Sequence, residues 1–247
     1  ATRAKKRLHG TWCRFAKAAE AATDAAAVVF YLTLRDAETL QRDAPDGQKL
    51  LHLSPFLPLE TLPPAAQLEG PMLSVGMMRA GDKLASYRII AEVLAQLPQG
   101  GWRLQIAGDG PARADVTALM APFGEAVTFL GRLDRTALAE TYQNAQLMLW
   151  PGVNEAFGMA YLEAQAHGVP VIAQDRPGVR EVLAPGNHPT VDAGAPGLTA
   201  RVQALLSDVK TRHAAGAAAR AHVAAHHLAP HARETLQRGL EHVGVRP

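Results

Sequence analysis

Two glutamates, Glu155 and Glu163, bracket the pair Phe157-Gly158 in the stretch PGVNEAFGMAYLEAQAHGVPV at residues 151–171. An apolar run at 147–150 ends in Pro151-Gly152, Asn154 and Glu155 follow in a loop, and Gly158 opens a helix containing Glu163. A helix start exposes N–H groups without partners and carries partial positive charge, which suits a phosphate. Gly158 has no Cβ to block an oxygen approaching that backbone. Glu155, just ahead of the helix, could accept from sugar hydroxyls. Glu163 could accept from the vicinal hydroxyls of a ribose, as acidic residues do in dinucleotide sites. A Glu beside a helix start also interacts favourably with the dipole, and a mid-helix Glu usually lies on a solvated face. The conjunction of both with Phe157-Gly158 is what favours a ligand grip.

Such a grip needs a scaffold that ends strands and starts helices along one edge. From residue 71 onward the chain alternates strictly. Strands are predicted at 72–76, 102–107, 126–130, 147–150 and 169–173. Helices are predicted at 83–97, from the 108–111 turn to about 121, at 135–144 with Asp134 as N-cap, and at 157–167. This pattern predicts βαβ units and a parallel sheet with helices on both faces. Right-handed crossovers then place every strand's C-terminal end on one edge, where open α/β sheets bind ligands. The loops there are 76–83, 108–111, 131–133, 151–158 and 174–178, each containing glycine.

Ahead of this unit, residues 1–23 read as a helix and 26–32 as a buried strand. Thr33 with Asp36 reads as the cap of a helix running to about 42, and 50–53 as a short strand. The Pro-rich segment 55–64 reads as an extended linker rather than core, and the domain boundary is placed there. Beyond residue 195 the chain reads as helices rich in Ala, Arg and His that pack back across the domain. The expected divisions are 1–58, 59–227 and a C-terminal helix at 228–247.

Composition narrows the classes. Of 247 residues 48% are hydrophobic and 19% charged, ordinary for a soluble globular protein. A net charge of +2 is too small to argue for nucleic acid as a partner. Cys13 stands alone, so no disulfide forms within the chain, and a reducing cytoplasm is the default. No apolar run reaches the length of a membrane span. Arg3, Lys5, Lys6 and Arg7 would suit a peripheral place at the inner membrane face, and equally a solvated helix face. His222 and His226, one helical turn apart, with His227 and His231, invite a metal reading, but no nearby carboxylate or Cys completes a site, and no metal is expected. Trp12, Trp102 and Trp150 read as packing residues. Gly108-Asp109-Gly110 lacks the G-x-G-x-x-G spacing of a dinucleotide site and reads as a tight turn, which disfavours a nicotinamide-dependent dehydrogenase.

Residues 155–172 resemble the E-x7-E signature of retaining glycosyltransferases of the GT-B fold, family 4, which runs approximately E-G-F-G-x-x-x-L-E-A-M-A-x-G-x-P-V-I. Ala156 stands for Gly and Gln165 for Met. The resemblance extends over 71–183. It includes the strand-to-glycine junctions at Gly76, Gly108 and Gly131 and the element Gly178-x-x-Glu181-Val182. It implies a Rossmann-like C-terminal domain at 59–227 that binds a nucleoside-diphosphate sugar as donor, with no cofactor and no metal requirement. In its terms Glu155 orients the donor sugar. Arg79 and Lys83 hold the diphosphate, although Met77 and Met78 make their spacing depart from the family's form. Gly76, Gly131, Arg132, Leu133, Asn154, Phe157, Gly158, Met159 and Glu163 contact the donor, with Gly131-Arg132-Leu133 at the base.

The resemblance further implies transfer of a sugar, with retention, to an acceptor glycan, lipid or small molecule. Residues 1–58 then resemble the tail of an N-terminal, acceptor-side domain. The chain would be a fragment, or a partner chain would supply the rest. Two further readings stay open: a non-catalytic nucleotide-sugar-binding module of a split transferase, and a GT-B nucleotide-sugar epimerase.

Overall fold

A computed structural model describes residues 11–245. Arg3, Lys5, Lys6, Arg7 and the first part of the expected N-terminal helix lie outside the described residues, as do the side chains of Trp12 and Cys13. In chain order the elements are α1 (Thr11–Ala25), β1 (Val28–Tyr31), α2 (Leu34–Asp43), β2 (Lys49–His52), β3 (Met72–Val75), α3 (Asp82–Gln96), β4 (Leu104–Ala107), α4 (Arg113–Met120), β5 (Val127–Gly131), α5 (Arg135–Gln143), β6 (Leu147–Leu149), α6 (Met159–Ala166), β7 (Val171–Ile172), α7 (Pro177–Arg180), α8 (Gly194–Ser207), α9 (Val209–His226) and α10 (Ala229–His242). A 3-10 stretch, Ala121–Ala126, joins α4 to β5.

The chain divides into two compact units, Ser54–Ala232 and a smaller one formed by the residues before it and those from Arg233 onward. In the smaller unit β1 and β2 pair in parallel, with Val28 opposite Lys49 and Tyr31 opposite His52. Thr33 caps α2 as expected. Its hydroxyl accepts from Asp36 N at 3.2 Å and donates to Asp36 Oδ2 at 2.7 Å. Gln48 ties the end of α1 to the sheet, its amide donating to Thr23 O at 2.6 Å and Ala26 O at 2.8 Å.

The larger unit holds a five-stranded parallel sheet in the order β5-β4-β3-β6-β7, flanked by helices. Its strands are short apolar runs because they are covered on both sides: Met72, Leu73, Leu147, Met148 and Leu149 are fully buried. Each such side chain contributes about 1.5–3 kcal/mol on burial. The one polar residue inside β3, Ser74, is satisfied by donating to Leu149 O at 2.7 Å. From β3 the chain winds outward through β4 to β5, then returns to place β6 on the other side of β3. The loops after β3 and β6 therefore diverge from neighbouring strands, and a crevice opens at this switch point.

Several boundaries shift by a residue or two from expectation, and two of the shifts have local reasons. Helix α6 starts at Met159, not Phe157, because Gly158 takes the left-handed conformation, φ 67°, and ends the loop. Strand β7 is only two residues, with Pro170 supplying a carbonyl to Met148 N at 2.9 Å and no N–H of its own.

The Pro-rich segment carries no helix and no regular strand, but it bends at 58, 60 and 61 and is not excluded from the core. Leu57 and Leu68 are buried, and Leu57 forms a parallel bridge with Leu228. Leu57 N donates to His227 O at 2.8 Å and Ala66 N to His167 O at 2.7 Å. Proline-rich sequence signals extension, and here the leucines between the prolines supply the burial. The unit accordingly begins at Ser54, just ahead of the segment read as linker, and takes that segment in whole.

Candidate functional site

At the switch point lies a cleft of about 680 Å³. Three loops and one helix start wall it: Val75–Met77 after β3, Ala107–Asp109 after β4, Arg132 and Leu133 after β5, and Gly158–Ala160 opening α6. No side chain caps α6, so its first-turn N–H groups and the helix dipole face this space. Lys83, from the first turn of α3, and Glu155 also line it.

Lys83 Nζ is ion-paired and hydrogen-bonded with Glu155 Oε1. Both side chains are largely buried, 16% and 14% exposed, so the pair is less screened by solvent than a surface pair. The same Oε1 accepts from the indole N–H of Trp150 at 2.9 Å. Loop 151–158 is pinned to α3 at two more points. Asn154, at φ 50°, donates to Asp82 Oδ2 at 2.8 Å, and Val153 N donates to Ser86 Oγ at 3.1 Å. On its other side Gly178 lies so close that a Cβ there would fall 2.1 Å from Ala156 O and 2.4 Å from Glu155 O. This gives the Gly178-x-x-Glu181 element a physical role, since it closes the floor under Glu155.

Of the expected site residues, the cleft brings together Gly76, Lys83, Arg132, Leu133, Glu155, Gly158 and Met159. Five others stand elsewhere. Arg79 is exposed on the 76–81 loop, off the lining. Asn154 is exposed and engaged with Asp82. Phe157 is half-buried against the core. Gly131 is turned away, its carbonyl accepting from Gly108 N at 2.8 Å. Glu163 lies on a second, smaller cavity of about 340 Å³, with Arg135, His167 and the prolines at 58, 63 and 64. Leu138 lines both cavities.

Glu163 accepts from the phenol of Tyr142 at 3.0 Å. Burial raises its carboxyl above the usual range, against the lowering effects of the Tyr142 bond and Arg135. Burial likewise pushes the Tyr142 phenol well up, and the Glu163 charge adds to this.

Asp109 and Trp150 line the cleft without having been read as site residues. The Asp109 turn is tight, as expected, with Gly110 N donating to Asp109 Oδ1 at 2.8 Å, yet it also forms a wall. Trp150 is more than packing because its N–H reaches Glu155. Its position at the C-terminal end of the buried run 147–150, five residues before Glu155, was the available signal. The histidines form a ring cluster, with His222 and His227 centroids 4.8 Å apart. Among the described residues no group of His, Cys, Asp or Glu is placed to hold a metal ion. No described helix is long and apolar enough to cross a membrane.

The family described as Glycosyl transferases group 1 matches over residues 72–208. A GDP-mannose-dependent monoacylated alpha-(1-6)-phosphatidylinositol monomannoside mannosyltransferase of Corynebacterium glutamicum is 34% identical over 146 residues, 56% of this chain. That stretch spans 38% of the relative's length. Among solved structures, sucrose-phosphate synthase from Thermosynechococcus elongatus superposes with a TM-score of 0.75 at 23% identity, over 98% of this chain and 64% of that one. HepE of Anabaena, solved in complex with UDP and glucose, superposes with a TM-score of 0.73 at 16% identity, over 94% of this chain and 68% of that one. These likenesses show the GT-B fold.

Proposed function

Because the chain belongs to the glycosyl transferases group 1 family, we propose that Ser54–Ala232 is the donor-binding half of a retaining glycosyltransferase using a nucleoside-diphosphate sugar. The observation that carries this reading is the convergence of an uncapped helix start, a lysine and a carboxylate on one cleft at the switch point of the sheet. A diphosphate sits at the N-terminus of α6, with Lys83 and Arg132 as the cations lining the cleft. When the bond between the anomeric carbon and the leaving oxygen breaks, negative charge gathers on the nucleoside diphosphate. The helix dipole stabilises that charge, and Lys83 turns from Glu155 to meet it. Glu155 accepts from a hydroxyl of the sugar and fixes its orientation. Ribose lies beside Leu138, which borders the cavity holding Glu163. Arg79, exposed on the 76–81 loop and off the cleft lining, takes no part in the grip as it stands.

The acceptor is a glycan, a lipid or a small molecule, bound by an N-terminal domain of which the residues before Ser54 are the tail. GDP-mannose in the name of the Corynebacterium relative and UDP with glucose in the Anabaena complex belong to the same donor chemistry.

A thermal-shift screen against UDP-glucose, GDP-mannose and ADP-glucose tests the reading. Near a hundred times Kd a bound donor stabilises by about 2.7 kcal/mol, which for a domain of this size raises the midpoint by about 5–10 °C. One base class should do so. A flat response to all three refutes the proposal.

A further inference from the structure

The two groups just assigned to the donor share a support, and we infer that Trp150 is a positioning residue for the donor sugar. Its indole N–H holds Glu155 in place once the diphosphate draws Lys83 away. This assignment rests on the donor reading of the cleft.

Three features meet on the indole. Its N–H donates to Glu155 Oε1 at 2.9 Å. Lys83 Nζ lies 5.4 Å from the ring centroid while paired with the same oxygen. The ring itself is fixed, 2% exposed, with Tyr87 packed edge-on at 5.1 Å. At Gly76 a Cβ would fall 2.5 Å from the ring's Cη2, so the β3 loop presses directly on it. Tyr161 adds a hydrogen bond to the Trp150 carbonyl at 3.1 Å.

Both donors end on Oε1, and Oε2 takes no bond from a described residue. Oε2 is thus the oxygen left for a sugar hydroxyl. A diphosphate entering the cleft competes with Glu155 for Lys83, and carries more charge than a single carboxylate. Glu155 then loses its cation. Its side chain sits on a loop, and an unpaired carboxylate gains by turning to water. The indole N–H belongs to a ring that cannot turn, so it keeps Glu155 aimed after Lys83 has left. Trp150 therefore acts on binding of the sugar and not of the nucleotide.

The test is calorimetric titration of the chain with UDP, GDP and ADP, and with UDP-glucose, GDP-mannose and ADP-glucose. Trp150→Phe keeps an aromatic ring against Tyr87 and removes the N–H. Its affinity for the sugar-bearing donor should fall about tenfold, the worth of one hydrogen bond to a charged group, while the bare nucleotide binds within about twofold of the parent. In a double-mutant cycle, Trp150→Phe should add nothing in a Glu155→Ala background. Parallel weakening of nucleotide and nucleotide sugar would make the ring mere packing and overturn the assignment. So would additive losses in the cycle. A parent chain that binds none of the six overturns the donor reading itself, and this inference with it.

Discussion

Gln165→Met should destabilise the larger unit by about 1–5 kcal/mol. Methionine is close to glutamine in volume, so the change isolates the amide. Gln165 is 1% exposed on α6 and reaches across to the segment after α7. Its Nε2 donates to Val182 O at 2.8 Å and to Tyr161 O at 3.1 Å, and its Oε1 accepts from Ala184 N at 2.7 Å. Tyr161 O keeps its place in the helix ladder when the amide goes. Val182 O and Ala184 N lose the side-chain partner that Gln165 gives them, in a buried segment. Each stranded group costs about 1–3 kcal/mol. Burying the thioether in place of the amide returns about 1 kcal/mol. At about 2–4 °C per kcal/mol for a domain of this size, the midpoint falls by about 2–20 °C. Urea unfolding followed by circular dichroism measures the difference, with the slope checked for constancy. A loss below about 0.5 kcal/mol would mean that the 182–184 segment repairs itself, and would refute the view that this amide anchors it.

Three further outcomes are expected. Gly178→Ala puts a methyl against the carbonyls of Glu155 and Ala156, so it should displace the loop and weaken nucleotide-sugar binding about tenfold or more; unchanged titrations would show that the loop yields freely. Lys83→Met should weaken binding of the bare nucleotide by about tenfold and flatten its salt dependence, whereas an unaltered salt slope would remove Lys83 from the diphosphate site. His222 is held down to about 4 by burial first and then by His227 and His226. The unfolded chain, with an ordinary histidine near 6.5, therefore binds more protons between those values, and stability falls as pH drops through that window. His222→Leu should flatten the fall between pH 6.5 and about 4, read from urea midpoints, and an identical slope would assign the acid loss to other groups.

The strand–helix alternation after residue 71 was legible because the strands there are short apolar runs, four of the five closed directly by glycine or proline. The caps at Thr33 and Asp134 were legible too, since a side chain bonding its own N3 backbone is a local event. What could not be read was which partner each buried polar side chain meets. Trp150 and Gln165 look like core and helix filler in sequence, and only their partners at Glu155, Val182 and Ala184 give them roles. Glu155 and Glu163 were read as one grip because they flank Phe157-Gly158 at a helix start. Yet Glu155 sits in the loop ahead of α6 and Glu163 inside the helix, where its carboxylate meets Tyr142. The buried leucines 57 and 68 were missed because proline dominated the reading of their segment.

The start of α3 and the loop after β6 are joined like the teeth of a zip. Asp82 takes Asn154 and Lys83 takes Glu155, both at a separation of 72 residues, and Ser86 takes Val153. Positions 82 and 154, and likewise 83 and 155, should therefore change together among descendants of this sequence. Lengthening either segment by one residue would misalign every tooth at once, whereas length changes in the elements between them leave the zip untouched. A loop transplanted onto another sheet would have to bring the first turn of α3 with it.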